Sequence, residues 1–186
     1  FRFSLPLIAP ADAAKGQVDR WLSAELDQLI TKTTEAMDRF QFDEALKAIR
    51  AFAWDVLADN YIELVKARLY GQDGPEKRAA QGTLFTALET LARLMAPFTP
   101  FLSEEIYHTL TGQSVHVQSW PVARGQPMDR AGLAIKEVAS TLRRYKAEKG
   151  VALNSPLPGI VVYSDLDLET ADLAGVANSP VESRTG

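Results

Sequence analysis

The sequence predicts an all-α fold, an antiparallel helical bundle, followed by a small and incomplete α/β extension. Three observations carry that expectation. Apolar residues recur at steps of three and four over most of residues 18–149. The breaks between those runs are short and are marked by Gly or Pro. A single β-favouring run, Ile160-Val161-Val162-Tyr163, stands near the end.

The first helix is read from Val18, Trp21, Leu22, Leu26, Leu29, Ile30 and Met37, with Asp19, Arg20, Glu25, Lys32 and Glu35 on its other faces. A short break lies between Phe40 and Phe42. The second helix carries the longest stripe: Phe42, Ala45, Leu46, Ile49, Phe52, Ala53, Val56, Leu57, Tyr61, Leu64, Val65 and Leu69. Asp43 and Glu44 suit its N-terminus through the helix dipole, and Gly71 ends it. Pro75 can take the first position of a third helix, spaced by Leu84, Leu88, Leu91 and Met95 and stopped before Pro97. Thr99 and Pro100 read as cap and first position of a fourth, with Phe101, Leu102, Ile106 and Leu110 inward and Gly112 beyond its end. Short loops between such helices favour antiparallel neighbours. Residues 113–127 read as extended chain. A fifth helix, about 129–149, shows Leu133, Ile135, Val138, Leu142 and Tyr145, closed by Gly150. The last twenty residues read as a weak helix and a frayed tail. Since one strand is not stable alone, the expectation is that this C-terminal piece is incomplete or pairs with something missing from the chain.

Composition narrows the function. The 186 residues hold 20 Lys+Arg against 24 Asp+Glu, a formal charge of -4, and no cysteine. Disulfides, thiolate metal sites and cysteine nucleophiles are thereby excluded. No apolar run reaches the roughly 20 residues of a membrane span, and the opening FRFSLPLIAP lacks a small-residue cleavage site. A soluble cytoplasmic protein without a membrane partner is expected. Charge is unevenly spread: residues 124–149 carry seven basic side chains and only three acidic ones. That local excess leaves room for a polyanion-binding face in an acidic chain.

No catalytic site assembles from the residues. There are two histidines, His108 and His116, and no Gly-rich phosphate loop. Glu105 and His108 have the Glu-x-x-His spacing of di-iron bundles, but a second pair is missing because residue 113 is Gln. No metal is expected. Asp55, Asp59 and Glu63, four residues apart, read as a solvated face. Trp21, Phe52, Tyr61 and Phe101 fall on apolar stripes and are expected in the core. Trp54 falls between stripe positions 53 and 56, at a helix seam or exposed for stacking. On the fifth helix Leu142 and Tyr145 are expected to hold a buried stripe, with the basic residues forming a cationic ridge opposite.

Several blocks occur in a telling order. They are Asp19-Arg20-Trp21-Leu22-Ser23, the stretch from Tyr61-Ile62-Glu63-Leu64 to Lys66 and Arg68, and Met95-Ala96-Pro97-Phe98-Thr99-Pro100-Phe101-Leu102-Ser103-Glu104-Glu105-Ile106. Ser114-Val115-His116 and Ser119-Trp120-Pro121 follow. Together, over roughly residues 18–121, they resemble the anticodon-binding domain of the class I aminoacyl-tRNA synthetases for valine, isoleucine and leucine. Leu142-Arg143-Arg144-Tyr145-Lys146-Ala147-Glu148-Lys149-Gly150 and Leu153-Asn154-Ser155-Pro156-Leu157 are most similar to the valyl branch of the archaeal type.

The resemblance implies a tRNA anticodon-arm-binding module of an ATP-dependent ligase that joins valine to tRNA. An isoleucyl or leucyl counterpart, or a helical protein-interaction scaffold, is the alternative. Family catalysis uses His-Ile-Gly-His and Lys-Met-Ser-Lys-Ser motifs, neither of which occurs here, so no catalytic residue and no cofactor is expected in this stretch. ATP and Mg²⁺ would belong to a catalytic domain elsewhere in the parent chain, with that domain and an editing domain as partners. The implied division is a lead-in over 1–17, the bundle over 18–123, and the basic helix with its partial α/β extension over 124–186. Arg143, Arg144, Lys146 and Lys149 are the expected phosphate contacts, joined by Lys47, Arg50 and Trp54 from the bundle. Trp120 and Pro121 are expected to pin the extended segment, and Phe98 and Phe101 to pack the bundle end.

Overall fold

The computed structural model describes residues 15–186; most of the expected lead-in, residues 1–14, lies outside the described residues. Helix α1 (Gln17–Asp38) buries Val18, Trp21, Leu22, Leu26, Leu29 and Ile30, the stripe its spacing predicts. It ends in a Schellman turn, with Gln41 N–H donating to Ala36 O (2.8 Å) and Phe40 N–H to Met37 O (3.0 Å). Phe40 occupies the left-handed position of that turn (φ +59), where glycine is the usual residue.

The second predicted helix is one continuous rod, but not a uniform one. It begins as α2 (Phe42–Ala51), widens into a π-helix (Phe52–Ile62), and returns to α-helix as α3 (Glu63–Tyr70). The wider turn carries its buried residues Phe52, Leu57 and Tyr61 at steps of five and four. Phe42 and Leu46, expected inward, are exposed at the α2 entrance. Helix α4 (Pro75–Met95) starts on Pro75 and packs Ala80, Leu84, Ala87, Leu91 and Leu94 into the same core.

Helix α5 (Pro100–Thr111) corrects the predicted phase. Phe101 is 89% exposed, and Leu102 and Ile106 also face outward; the buried residues are Ser103 and Tyr107. The reason is a polar tether. Tyr107 packs on Ala92 and Val115 and donates its hydroxyl to Glu89 Oε1 (3.2 Å). Next to the buried Ser103, Glu104 Oε2 accepts from Val115 N–H (2.9 Å) and Ser114 Oγ (3.0 Å). Those bonds hold the Glu104 carboxyl below the ordinary carboxylate range, the Val115 N–H first among the causes. Gly112 then ends the helix at φ +72.

The segment after a 3₁₀ turn (Val115–Val117) runs back across the bundle. Pro121 is buried and Trp120 Nε1–H donates to Thr34 Oγ1 (2.8 Å), so this pair does pin the extended chain. The buried Asp27 carboxylate then takes both Arg124 N–H and Gln126 N–H at 2.9 Å.

Helix α6 (Arg130–Glu148) is capped by Asp129, whose Oδ1 accepts from Gly132 N–H (2.8 Å) and whose Oδ2 accepts from Arg20 Nε (2.7 Å). It lies so close to α1 that a Cβ on Gly132 would stand 2.2 Å from Gln17 O and 2.7 Å from Trp21 Cβ. The expected lone strand has its partner within the chain. Strand β1 (Ile160–Ser164) pairs in parallel with β2 (Val181–Thr185), joined through α7 (Ala171–Ala177). The extension is a minimal β-α-β unit rather than a strand and a frayed tail.

One polar cluster ties this unit to the bundle. Arg68 of α3 donates Nη1 to Asp19 Oδ2 (2.9 Å) and Nη2 to Asp19 Oδ1 (3.0 Å), and its Nε to Asp172 Oδ1 (2.9 Å) in α7. The Tyr61 hydroxyl donates to Asp19 Oδ1 at 2.8 Å. Burial, reinforced by the Asp19 charge, raises the Tyr61 pKa well above that of a free phenol. Burial also pushes Asp172 up to about 6; Arg68 pulls against this and Asp19 adds to it.

Gly132→Ala forces α1 and α6 apart and should lower stability by about 1–3 kcal/mol in urea unfolding. An unchanged midpoint would contradict the close approach. For Asp172, the folded state holds its proton to a higher pH than the unfolded chain does. The stability this supplies is complete below the ordinary value of 3.8 and is lost as pH rises through about 6. Relative to Asp172→Asn, the native chain should therefore lose about 1–3 kcal/mol between pH 4 and 7. A gain over that range would refute the assignment.

Candidate nucleic-acid interface

The α2–π-helix rod presents a row of exposed side chains spaced by three and four residues. Lys47 is held by Asp43 Oδ2 (3.2 Å) and Glu44 Oε1 (3.3 Å), and hydrogen bonding to these carboxylates raises its pKa. Arg50 follows in the last turn of α2, and Trp54 in the first turn of the π-helix is 69% exposed. With Ala51 and Asp55 these three line an open depression of about 400 Å³.

That depression is the end of a longer track. Its members Ala51 and Asp55 also border a second hollow of about 260 Å³ that reaches Gln28 and Lys32 of α1. Gln28 and Lys32 in turn border a third, of about 310 Å³, closed by Gly125 and Gln126. The track thus mixes an indole face, amides, three cations and several carboxylates. Such a surface suits unpaired bases, which stack and offer donor and acceptor edges, better than it suits a bare row of phosphates.

The basic residues of α6 do not form one ridge. Arg143 turns back onto the rod and donates to Asp59 O and Asn60 Oδ1, with Ser140 Oγ at 3.2 Å from Nη2. Lys146 is 0% exposed; its Nζ donates to Leu153 O (2.7 Å), Val176 O (3.1 Å) and Ala177 O (3.3 Å). Burial lowers its pKa. A cation at the C-terminal carbonyls of α7 is well placed against the helix dipole. Arg144 and Lys149 are exposed, the Lys149 Nζ lying 6.0 Å from the centre of the Tyr145 ring.

A family model described as "Anticodon-binding domain of tRNA ligase" matches residues 19–161. The chain belongs to that family. It is 56% identical over 186 residues to the valine–tRNA ligase of Methanothrix thermoacetophila, covering 100% of this chain and 22% of that enzyme. Against the valine–tRNA ligase of Methanosarcina barkeri the identity is 46% over 199 residues, covering 100% of this chain and 23% of the relative. For Archaeoglobus fulgidus it is 47% over 169 residues, covering 88% and 20%. The chain therefore spans about a fifth of the length of the relatives it matches.

Within this anticodon-binding domain, the seven expected site residues separate into three groups. Lys47, Arg50 and Trp54 come together on one depression. Arg144 and Lys149 sit in solvent on α6. Lys146 is buried with its ammonium bonded to internal carbonyls, so it is not free for phosphate, while the half-buried Arg143 donates through Nη1 and Nη2 to the rod. Lys146 also takes the inward place expected of Tyr145, which is half exposed. Gln28, Lys32 and Gln126 were not singled out by the sequence. Lys32 lay on the polar face of α1, but only the folded return of residues 120–126 shows that this face borders the track. Glu105 and His108 are both exposed on α5, and among the described residues no group of three His, Cys, Asp or Glu side chains is placed to hold a metal ion.

Lys146→Met should take the ammonium from the Leu153 and Val176 carbonyls, leaving Ala177 O only its bond from Leu157 N–H, and cost about 3 kcal/mol or more in stability. Thermal unfolding followed by circular dichroism checks this; a change within ±0.5 kcal/mol would mean that the clamp is dispensable.

Proposed function

We propose that this chain is the part of a valine–tRNA ligase that holds the anticodon arm of its tRNA. The observation that carries the reading is the 56% identity maintained over all 186 residues to an enzyme of that name. In this reading the ligase reaction, with ATP and Mg²⁺, belongs to other parts of the longer enzyme, and no reacting group is supplied here.

The geometry supports a division of labour. Unstacked loop bases lie along the track, with one base on the Trp54 indole and others edge-on to Gln28 and Gln126. Arg50, Lys47 and Lys32 border the phosphates, and Arg144 and Lys149 reach the backbone from α6. Because so few cations are free, the salt dependence is shallow. Each phosphate neutralised in a single strand contributes about −0.7 to the slope of log K against log salt. A scaffold use has its own observation, the outward apolar residues Phe101, Leu102 and Ile106 on α5, but no residue of that face borders the track.

Filter binding of a valine tRNA transcript over a range of salt tests the proposal. Trp54→Ala should weaken binding by about 1–3 kcal/mol with the slope unchanged, as expected for a lost stacking platform. Arg144→Ala should reduce the magnitude of the slope by about 0.7, one phosphate's share. Binding that is indifferent to Trp54, Arg50 and Arg144 together would remove the track from the interface.

A further inference from the structure

A π-helix of eleven residues lies under the proposed interface, and it is held from one side by α6. Returning from five-residue to four-residue backbone spacing skips one carbonyl, which then needs a donor from elsewhere. The junction falls at residues 62–63. Close to it, Asp59 O receives the Arg143 guanidinium. The same guanidinium donates to Asn60 Oδ1, which also accepts from Ser140 Oγ (3.2 Å). The Asn60 amide then donates through Nδ2 to Asp55 O, one peptide from Trp54. A chain of hydrogen bonds therefore runs from α6, through Asn60, to the turn that carries the exposed indole.

We propose that Arg143 is a positioning residue for RNA: it locks the π-helical register through Asn60 and so fixes where Trp54 presents its ring, without touching phosphate itself. The proposal rests on the tRNA-binding reading given above, and names how that site is set. Its logic is that of a half-buried hydrogen-bond network with one pivot. Asn60 spends its carbonyl on two α6 donors and its amide on the π-helix backbone, so losing either contact frees the other. A wide-turn helix is less stable than an α-helix and is kept where surrounding contacts impose it. Without Arg143 the segment can rewind to α spacing. Residue 54 would then rotate about the axis relative to Arg50 and the α1 side of the track.

The test compares Arg143→Ala, Arg143→Lys and Asn60→Ala with the unaltered chain, each also in a Trp54→Phe background. The expected result is a loss of tRNA affinity of about tenfold for Arg143→Ala and for Asn60→Ala, with no change in the salt slope. Both should alter the acrylamide quenching of the Trp54 component, taken as the difference from the Trp54→Phe background. Hydrogen exchange of residues 52–62 should quicken in the absence of RNA. Combining either change with Trp54→Ala should add little further loss, because both act on one platform. A fall of about 0.7 in the slope for Arg143→Ala would instead make it a direct phosphate contact and overturn the proposal. So would fully additive losses, or unchanged exchange over 52–62 in Asn60→Ala, which removes no charge. Absent tRNA binding in the unaltered chain would count against the functional reading, while quickened exchange and altered quenching would still establish the lock itself.

Discussion

The guanidinium of Arg68 is the point on which the rest of the architecture depends. It sits between two carboxylates, Asp19 of α1 and Asp172 of α7, and is itself mostly buried. Burial disfavours its charge, but the Asp19 hydrogen bonds and the flanking negative charges outweigh this and hold its proton more firmly than in free arginine. Breaking any one member strands the others in a low-dielectric setting, which is why such clusters are costly to interrupt even where their net contribution is modest. The cluster also fixes relative position. Asp19 accepts from Tyr61 at the end of the π-helix, and Tyr61 and Arg68 further contact the carbonyls of Ala80 and Glu76 in α4. Three helices of the bundle and the β-α-β unit thus meet at one ion.

Helix α7 is a consequence of that arrangement. Seven residues are too few to be helical alone. Its N-terminal turn is held by Arg68 through Asp172, and its C-terminal carbonyls by Lys146. The two cations come from different helices, α3 and α6, and the acidic residue and the carbonyl ends lie where the helix dipole favours them. A two-stranded parallel sheet would be marginal on its own. Here it is carried by a helix that is itself pinned at both ends. The basic excess of residues 124–149 thereby divides between structure and surface, and only part of it faces solvent.

Much of the bundle was legible because helix periodicity and Pro/Gly punctuation are local signals. The bounds of α1, α4 and α6 and the inward residues of α1 and α4 follow directly from spacing. What was not legible depends on partners distant in sequence. The phase of α5 is set by Tyr107 meeting Glu89 and by Glu104 meeting Val115, so an apolar Phe101 gives way to a buried Ser103. Strand β2 reads Val-Glu-Ser-Arg-Thr, with little β preference and mostly exposed; only its pairing with β1 makes it a strand. Lys146 looked like surface because lysine usually is, and nothing nearby announces the carbonyls of residues 153, 176 and 177 that it bonds. The motif blocks carried more than their chemistry suggested: they hold Asp19, Tyr61 and Arg68 of one cluster, and Glu104 with its partners Ser114 and Val115.

Trp54 shows why the missing information matters for function. At α-helical spacing it falls off the apolar stripe, which leaves a helix seam and a stacking surface equally open. The widened turn decides the matter, because buried residues at steps of five and four take Phe52, Leu57 and Tyr61 inward and leave residue 54 outward beside Arg50. The widened segment is in turn bonded by Ser140 and Arg143 of α6, about eighty residues later in sequence. Trp54 and the α6 side chains bonded to its helix are therefore far apart in the chain and close in space. Charge alone marks Arg143 as a contact for a polyanion, whereas in the fold its guanidinium donates to Asp59 O and Asn60 Oδ1 of the rod that carries Trp54.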